Sequence, residues 1–227
     1  MSLKRRITLI KGIIFDLDGT LINSMGIWSD IDRKFLLENG VNNPPADISE
    51  IMRKMSVDES TDYFITRFGL KCTREYIKKR IEELVYHCYS EVIPLKSGVG
   101  KLLDYLDDAD IPYGVATATY KNLAEAILNR YGILGRFKFL LTDSEYPGGK
   151  NSPEIYYGAA KKLGFESHEI MVAEDSLHCI ETARSAGFFT VGVYDETSDF
   201  EWELIKERSN ASVRFADEII DLIGRDI

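Results

Sequence analysis

The strongest constraint on how this chain can fold is an alternation along its length. Short, nearly continuous apolar runs take turns with stretches patterned as helices. The runs are Ile7 to Phe15, Ile111 to Ala116, Phe137 to Leu141, Glu169 to Ala173 and Phe189 to Tyr194. Runs that are apolar throughout, rather than at every second residue, suit parallel strands covered on both faces. Between them, Val99 to Asp108 repeats apolar residues at helical spacing, as does Asn122 to Tyr131 before Gly132. Pro153 to Leu163 has Ser152 as its expected N-cap and Gly164 just past its end, and Leu177 to Ala186 stops at Gly187. Strands alternating with helices predict an α/β domain with a doubly wound, parallel, Rossmann-like sheet.

One stretch breaks the pattern. Between the first two runs there is almost no strand signal, and a crossover connection needs only about a dozen residues. Trp28, Ile31, Phe35 and Leu36 form one helical stripe, and Ile77, Ile81, Leu84, Val85 and Cys88 form another. Ser56-Val57-Asp58-Glu59 reads as a capping box ahead of Tyr63, Phe64 and Phe68. The expected organisation is a core of residues 1–20 and 94–227 with a helical insert at 21–93.

Composition narrows the partners. The formal net charge is −9, from 28 basic against 37 acidic residues. An acidic chain is poorly steered toward nucleic acid or an anionic membrane. No apolar stretch reaches the roughly 18 residues of a membrane span. The basic start and apolar Ile7 to Phe15 imitate a secretion signal, but Lys11 interrupts the run and Asp16 and Asp18 end it. The three cysteines, Cys72, Cys88 and Cys179, are odd in number and lack C-x-x-C spacing. They suggest neither a disulfide framework nor a zinc site, and a reducing, cytoplasmic compartment is expected. A monomer is the default expectation.

Chemistry gathers at the ends of the runs. Asp16-Leu17-Asp18-Gly19-Thr20 follows the first run directly, and ligands bind at the C-terminal ends of strands in such sheets. Taken alone, the segment could be a capped turn. It is not a calcium loop, because Leu21 and Ile27 stand where Gly and Glu would be needed. Thr117 follows the second run, Lys150 lies between Gly149 and a predicted helix, and Glu174-Asp175 follows the fourth run. Each has a plain structural reading: a strand-end hydroxyl, a solvated lysine, a helix cap at Asp175 or Ser176. Together they place two acidic clusters, a hydroxyl and an ammonium at one sheet edge.

In that order, Asp16-Leu17-Asp18-Gly19-Thr20, Thr117, Lys150 and Glu174-Asp175-Ser176 resemble the four motifs of the haloacid dehalogenase superfamily. The helical insert is similar in place to that family's cap, and the resemblance spans nearly the whole chain. It points to the phosphatase and β-phosphoglucomutase-like branch. The resemblance implies that Asp16 attacks phosphorus and that Asp18 protonates the leaving oxygen and then activates water. It implies that Thr117 and the N–H of Ala118 hold phosphate oxygens and that Lys150 neutralises charge. It implies Mg²⁺ at Asp16, the Asp18 carbonyl and Asp175, with Glu174 beside them. The implied cap closes over the site, hinged near Asn23-Ser24 and Pro94 to Gly98. The expected substrate is a small phosphorylated metabolite.

This sequence departs from the family pattern at Asn151, where proline usually follows the lysine, at Asn23 where aspartate is common, and at Cys179 where glycine is common. Two alternatives stand beside the phosphatase. A sugar-phosphate mutase would use the same nucleophile and need basic cap residues, with Arg33, Arg53, Lys54 and Arg67 as candidates. A phosphate- or metal-sensing module without catalysis fits the intact acidic set less well. His87, His168 and His178 lie in or beside helical patterns and are read as structural or surface residues.

Overall fold

The computed structural model describes residues 10–24, 26–52, 55 and 57–223, with backbone alone at 28, 29, 49, 50, 57 and 58. Ile7 to Leu9 of the expected first strand, the candidates Arg53 and Lys54, and Ser56 of the expected capping box lie outside the described residues. The chain divides into two compact units, Met1–Asn23 with Pro94–Ile227, and Ser24–Ile93.

The first unit is built on a sheet of six parallel strands: β1 (Gly12–Phe15), β2 (Tyr113–Thr117), β3 (Leu140–Thr142), β4 (Ile170–Glu174), β5 (Phe189–Val193) and β6 (Ala211–Val213). Their order is β3-β2-β1-β4-β5-β6, the doubly wound arrangement. Every residue of β1, β2 and β4 is buried, which is why those runs read as continuously apolar. Alternate residues feed opposite faces. Ile14, Ala116 and Val172 meet Ile155, Tyr156, Ala159 and Leu163 on one side, while Phe15 and Tyr113 make an edge-to-face pair with centroids 6.1 Å apart.

The sixth strand, Ala211–Val213, is absent from the sequence expectation, and the third begins at Leu140 rather than Phe137. β6 is a three-residue edge strand with only Val213 buried, too short to show a period. The helix α7 (Glu154–Leu163) forms where expected, but Ser152 does not cap it. Its hydroxyl bonds the Glu154 carboxylate instead, and Pro153 takes the N-cap place.

The second unit is helical: α1 (Ile27–Glu38), α2 (Ile48–Met52), α3 (Val57–Phe68), α4 (Arg74–His87) and a π-helical turn at Cys88–Val92. Ile31, Phe35, Leu36, Phe64, Ile77 and Leu84 are buried, and the Phe35 and Phe64 rings lie 5.2 Å apart. The Thr73 hydroxyl accepts the Tyr76 N–H at 3.2 Å and caps α4. Arg80 forks onto both Glu38 oxygens at 2.8 and 2.9 Å, tying α4 to α1. Arg33 and Arg67 are exposed.

In the first unit, α5 (Val99–Asp108), α6 (Lys121–Arg130), α7, α8 (Leu177–Ser185), α9 (Trp202–Arg208) and α10 (Ile220–Ile223) connect or flank the strands. Among the described residues no helix is long and apolar enough to cross a membrane. Cys72, Cys88 and Cys179 are free thiols.

Candidate active site at the switch point of the sheet

The strand order reverses between β1 and β4, and a crevice outside the carboxyl ends of the strands is the physical expectation there. Phe15 pairs with Ala173, and the Asp16 N–H donates to the Ala173 carbonyl at 3.0 Å. This register sets Asp16 against Glu174 and Asp175. Ligand atoms of the three carboxylates lie within 4.8 Å of one another, and all three residues are buried.

Lys150 completes the group. It is 6 % exposed, so the solvated-loop reading does not hold. Its ammonium donates to Asp16 Oδ1 at 2.5 Å and to Glu174 Oε1 at 2.9 Å. The loop after β3 delivers it, with Asp143 Oδ1 accepting the Lys150 backbone N–H at 3.0 Å. The bland reading of Ser176 also fails. Its hydroxyl pairs with His178 Nδ1 at 2.8 Å and makes no cap bond to α8.

Asp18 is half-buried, and the Thr119 hydroxyl donates to its Oδ2. Thr117 is buried at the end of β2, and its oxygen accepts the Thr119 N–H at 3.0 Å. Ala118, between them, is exposed. Gly19 has φ +83°, and a Cβ there would collide with the Asp175 carboxylate, so only glycine lets this loop lie against Asp175. The Thr20 hydroxyl donates to Asp175 Oδ1 at 3.3 Å. Thr20 and Thr119 carried no role in the sequence reading. The only signal was position, one hydroxyl in the Asp-Gly-Thr turn and one two residues past Thr117.

Burial and mutual repulsion disfavour charge on all three carboxylates. Burial pushes Asp16 up to about 7 against the pull of Lys150, with Asp175 and Asp18 adding repulsion. Burial, then the Asp16 charge, takes Glu174 up to about 8. Burial, then Glu174, takes Asp175 to about 8. Lys150 is held well above its usual range: burial opposes its charge, but Asp16 and Glu174 outweigh it. Glu174 Oε2 is buried with no hydrogen-bond partner. Lys150 bonds two of the three carboxylates and Lys96 adds only its nearby charge at Asp175, so a further positive charge would relieve both the repulsion and the orphaned oxygen. The donors are all oxygen, which suits a hard divalent cation.

A parallel sheet whose switch point carries a lysine-bridged group of buried carboxylates defines an α/β protein with a site whose oxygen donors could hold a cation. The chain belongs to the haloacid dehalogenase-like hydrolases, whose family profile matches residues 13–193. It is 25% identical over 191 residues to a phosphorylated carbohydrates phosphatase of Thermotoga maritima, covering 84% of this chain and 88% of that one. It is 27% identical over 220 residues to a β-phosphoglucomutase of Bacillus subtilis, covering 87% and 95%. A solved Thermotoga maritima structure provisionally described as a β-phosphoglucomutase superposes with a TM-score of 0.83 at 25% identity, covering 94% of this chain and 98% of that one.

Proposed function

We propose that this chain is a magnesium-dependent phosphatase that hydrolyses a small phosphorylated metabolite through a phosphorylated Asp16. The observation that carries the reading is the Lys150 ammonium, buried and bonded to Asp16 and Glu174 within a group of carboxylates. The curated relatives named as phosphatases of phosphorylated carbohydrates and of N-acetylmuramic acid 6-phosphate support the substrate class.

In this reading Asp16 attacks phosphorus, forming an acyl phosphate as the P–O bond to the leaving group breaks. Asp18, oriented by the Thr119 hydroxyl, gives its proton to the leaving oxygen. Asp18 then takes a proton from a water that attacks the same phosphorus, releasing phosphate and restoring Asp16. Lys150 favours the ionised form of Asp16 and offers positive charge to the phosphate oxygens, while Thr117 and the Ala118 N–H orient them. Asp16, the Asp18 carbonyl and Asp175 would hold Mg²⁺, with Glu174 beside them. When bound, the ion neutralises oxygen charge on the phosphoryl group and lowers the cost of ionising Asp16. The helical insert sets the choice of substrate.

Asp16→Asn tests the nucleophile. The variant is expected to fold and to turn over no phosphate monoester, and a variant with parental turnover refutes the covalent route. Excess chelator is expected to abolish activity and added Mg²⁺ to restore it.

The similarity to a β-phosphoglucomutase favours one second reading, a sugar-phosphate mutase with the same nucleophile. It gains if a bisphosphorylated sugar activates the enzyme and isomerisation outruns phosphate release.

A further inference from the structure

Lys96 lies in the segment that leads from the helical insert back into the core, and the mechanism above gives it no task. Its side chain is only 14% exposed. Its ammonium donates to the Gly19 carbonyl at 2.5 Å, the Tyr194 carbonyl at 2.6 Å and Asp195 Oδ2 at 2.9 Å. An ammonium has three donors, and all three are used. Asp195 is 4% exposed, and its other oxygen accepts the Thr197 N–H at 2.9 Å and hydroxyl at 2.7 Å. The Lys96 backbone N–H donates to Leu21 O at 2.9 Å, so the residue is fastened at both ends.

The acceptors belong to two places. Gly19 is in the loop after β1, and Tyr194 and Asp195 follow β5. In the sheet β4 lies between β1 and β5, and its end carries Glu174 and Asp175. The ammonium therefore straps together the two strand ends that flank Asp175. Gly19 packs so tightly on the Asp175 carboxylate that a methyl group would not fit, so a shift of Gly19 passes directly to Asp175.

We propose that Lys96 is a positioning residue for the carboxylate site: by pinning the Gly19 carbonyl to the end of β5, it fixes the loop that carries Asp18 and the seat of Asp175. This rests on the magnesium-dependent reading of the site. A lysine serving only as counter-ion to Asp195 would not need two backbone carbonyls at 2.5 and 2.6 Å.

The test compares the parent with Lys96→Met and with the double variant Lys96→Met/Asp195→Asn. Each is titrated calorimetrically with Mg²⁺ alone and assayed for turnover of a phosphate monoester. Residues that orient metal ligands alter affinity or activity by about 10- to 100-fold, so Lys96→Met is expected to weaken Mg²⁺ binding and lower kcat by at least about tenfold. KM should stay within about twofold, since substrate contacts are untouched. The double variant removes the buried charge on Asp195 along with the lysine, and it is expected to be no better than Lys96→Met because the Gly19 carbonyl is still unpinned. Parental Mg²⁺ affinity and kcat in Lys96→Met, or their recovery in the double variant, overturn the proposal. If Lys96→Met alone does not fold, the double variant decides by the same two readings. A parent that binds no Mg²⁺ and hydrolyses no phosphate monoester refutes the reading of the site, whereas the variant-to-parent ratios bear on Lys96.

Discussion

In the proposed reaction Asp18 gives up a proton and then recovers one, and such a carboxyl needs a fixed direction as much as an acidity. Asp18 has the Thr119 hydroxyl on Oδ2, and Thr119 is itself held by its N–H on the Thr117 oxygen. A hydrogen bond to a charged group contributes about 1.5–3 kcal/mol, so Thr119→Val is expected to lower kcat by about 10- to 100-fold. Mg²⁺ binding should be unchanged and Thr119→Ser should recover most of the loss; a Thr119→Val enzyme with parental kcat removes the orienting role. The acids also set a pH dependence. In the metal-free fold Asp16 titrates at about 7 and Glu174 and Asp175 at about 8, against about 4 in an unfolded chain. Between those values the folded protein binds more protons than the unfolded chain, so stability falls as pH rises through the window. Lys150, raised, acts only above its ordinary range near 10.5, and Asp195, lowered, acts only below about 4. Asp32, raised to about 6 by burial, adds to the slope but not to any rescue by metal. Thermal melts in chelator should therefore fall in midpoint from about pH 5 to about pH 8, with added Mg²⁺ restoring most at the upper end. A flat midpoint in chelator contradicts the raised pKa values of these buried acids. From the sequence, Asp16, Asp18 and Asp175 were visible because they follow apolar runs, and Lys150 because it stands between Gly149 and a patterned helix. Thr20, Thr119 and Lys96 were not, because a hydroxyl in a turn and a lysine in a linker carry no periodic signal.

At the level of elements, the strands that place these residues are legible because burial on both faces leaves few polar positions, most of them at the strand ends. The exceptions follow from the same physics. β6, at the sheet edge, buries one of its three residues and leaves no pattern to read. Ser152 has the chemistry of a cap, yet the nearby Glu154 carboxylate takes its hydroxyl, and sequence alone does not rank those two acceptors. Gly114 shows what tight packing demands inside β2. A Cβ there would run into the Phe139 ring. Gly114→Ala forces that ring or the strand to move, and overpacking of this kind costs about 1–3 kcal/mol. Urea unfolding should report that loss as a lower midpoint with an unchanged slope. Because Gly114 lies near the start of β2, while Thr117 stands at its other end, kcat of the folded fraction should stay near the parental value, and a fall in kcat without a fall in stability contradicts this account.

Along the described chain, the helical unit interrupts the succession of strands once, between β1 and β2. The interruption is tied off within the core unit: Asn23 N–H donates to Pro94 O at 2.9 Å, and Ile22 pairs with Leu95 in an antiparallel bridge. The two chain ends that lead into the helical unit thus already form the base of a hairpin. Two residues suffice to close an antiparallel hairpin, and Asn-Gly suits the turn that matches strand twist. Replacing residues 24–93 by Asn-Gly should therefore leave a core that melts in one cooperative transition, because every strand, the Lys150 loop and the Lys96 strap are retained. Calorimetry should find Mg²⁺ binding preserved. If the insert sets the choice of substrate, the shortened protein should keep activity toward a simple aryl phosphate while its preference among sugar phosphates, read as the ratio of kcat/KM values, collapses toward unity. A shortened enzyme that keeps the parental ratios would locate selection in the core unit, in the exposed residues that follow β2 and β5.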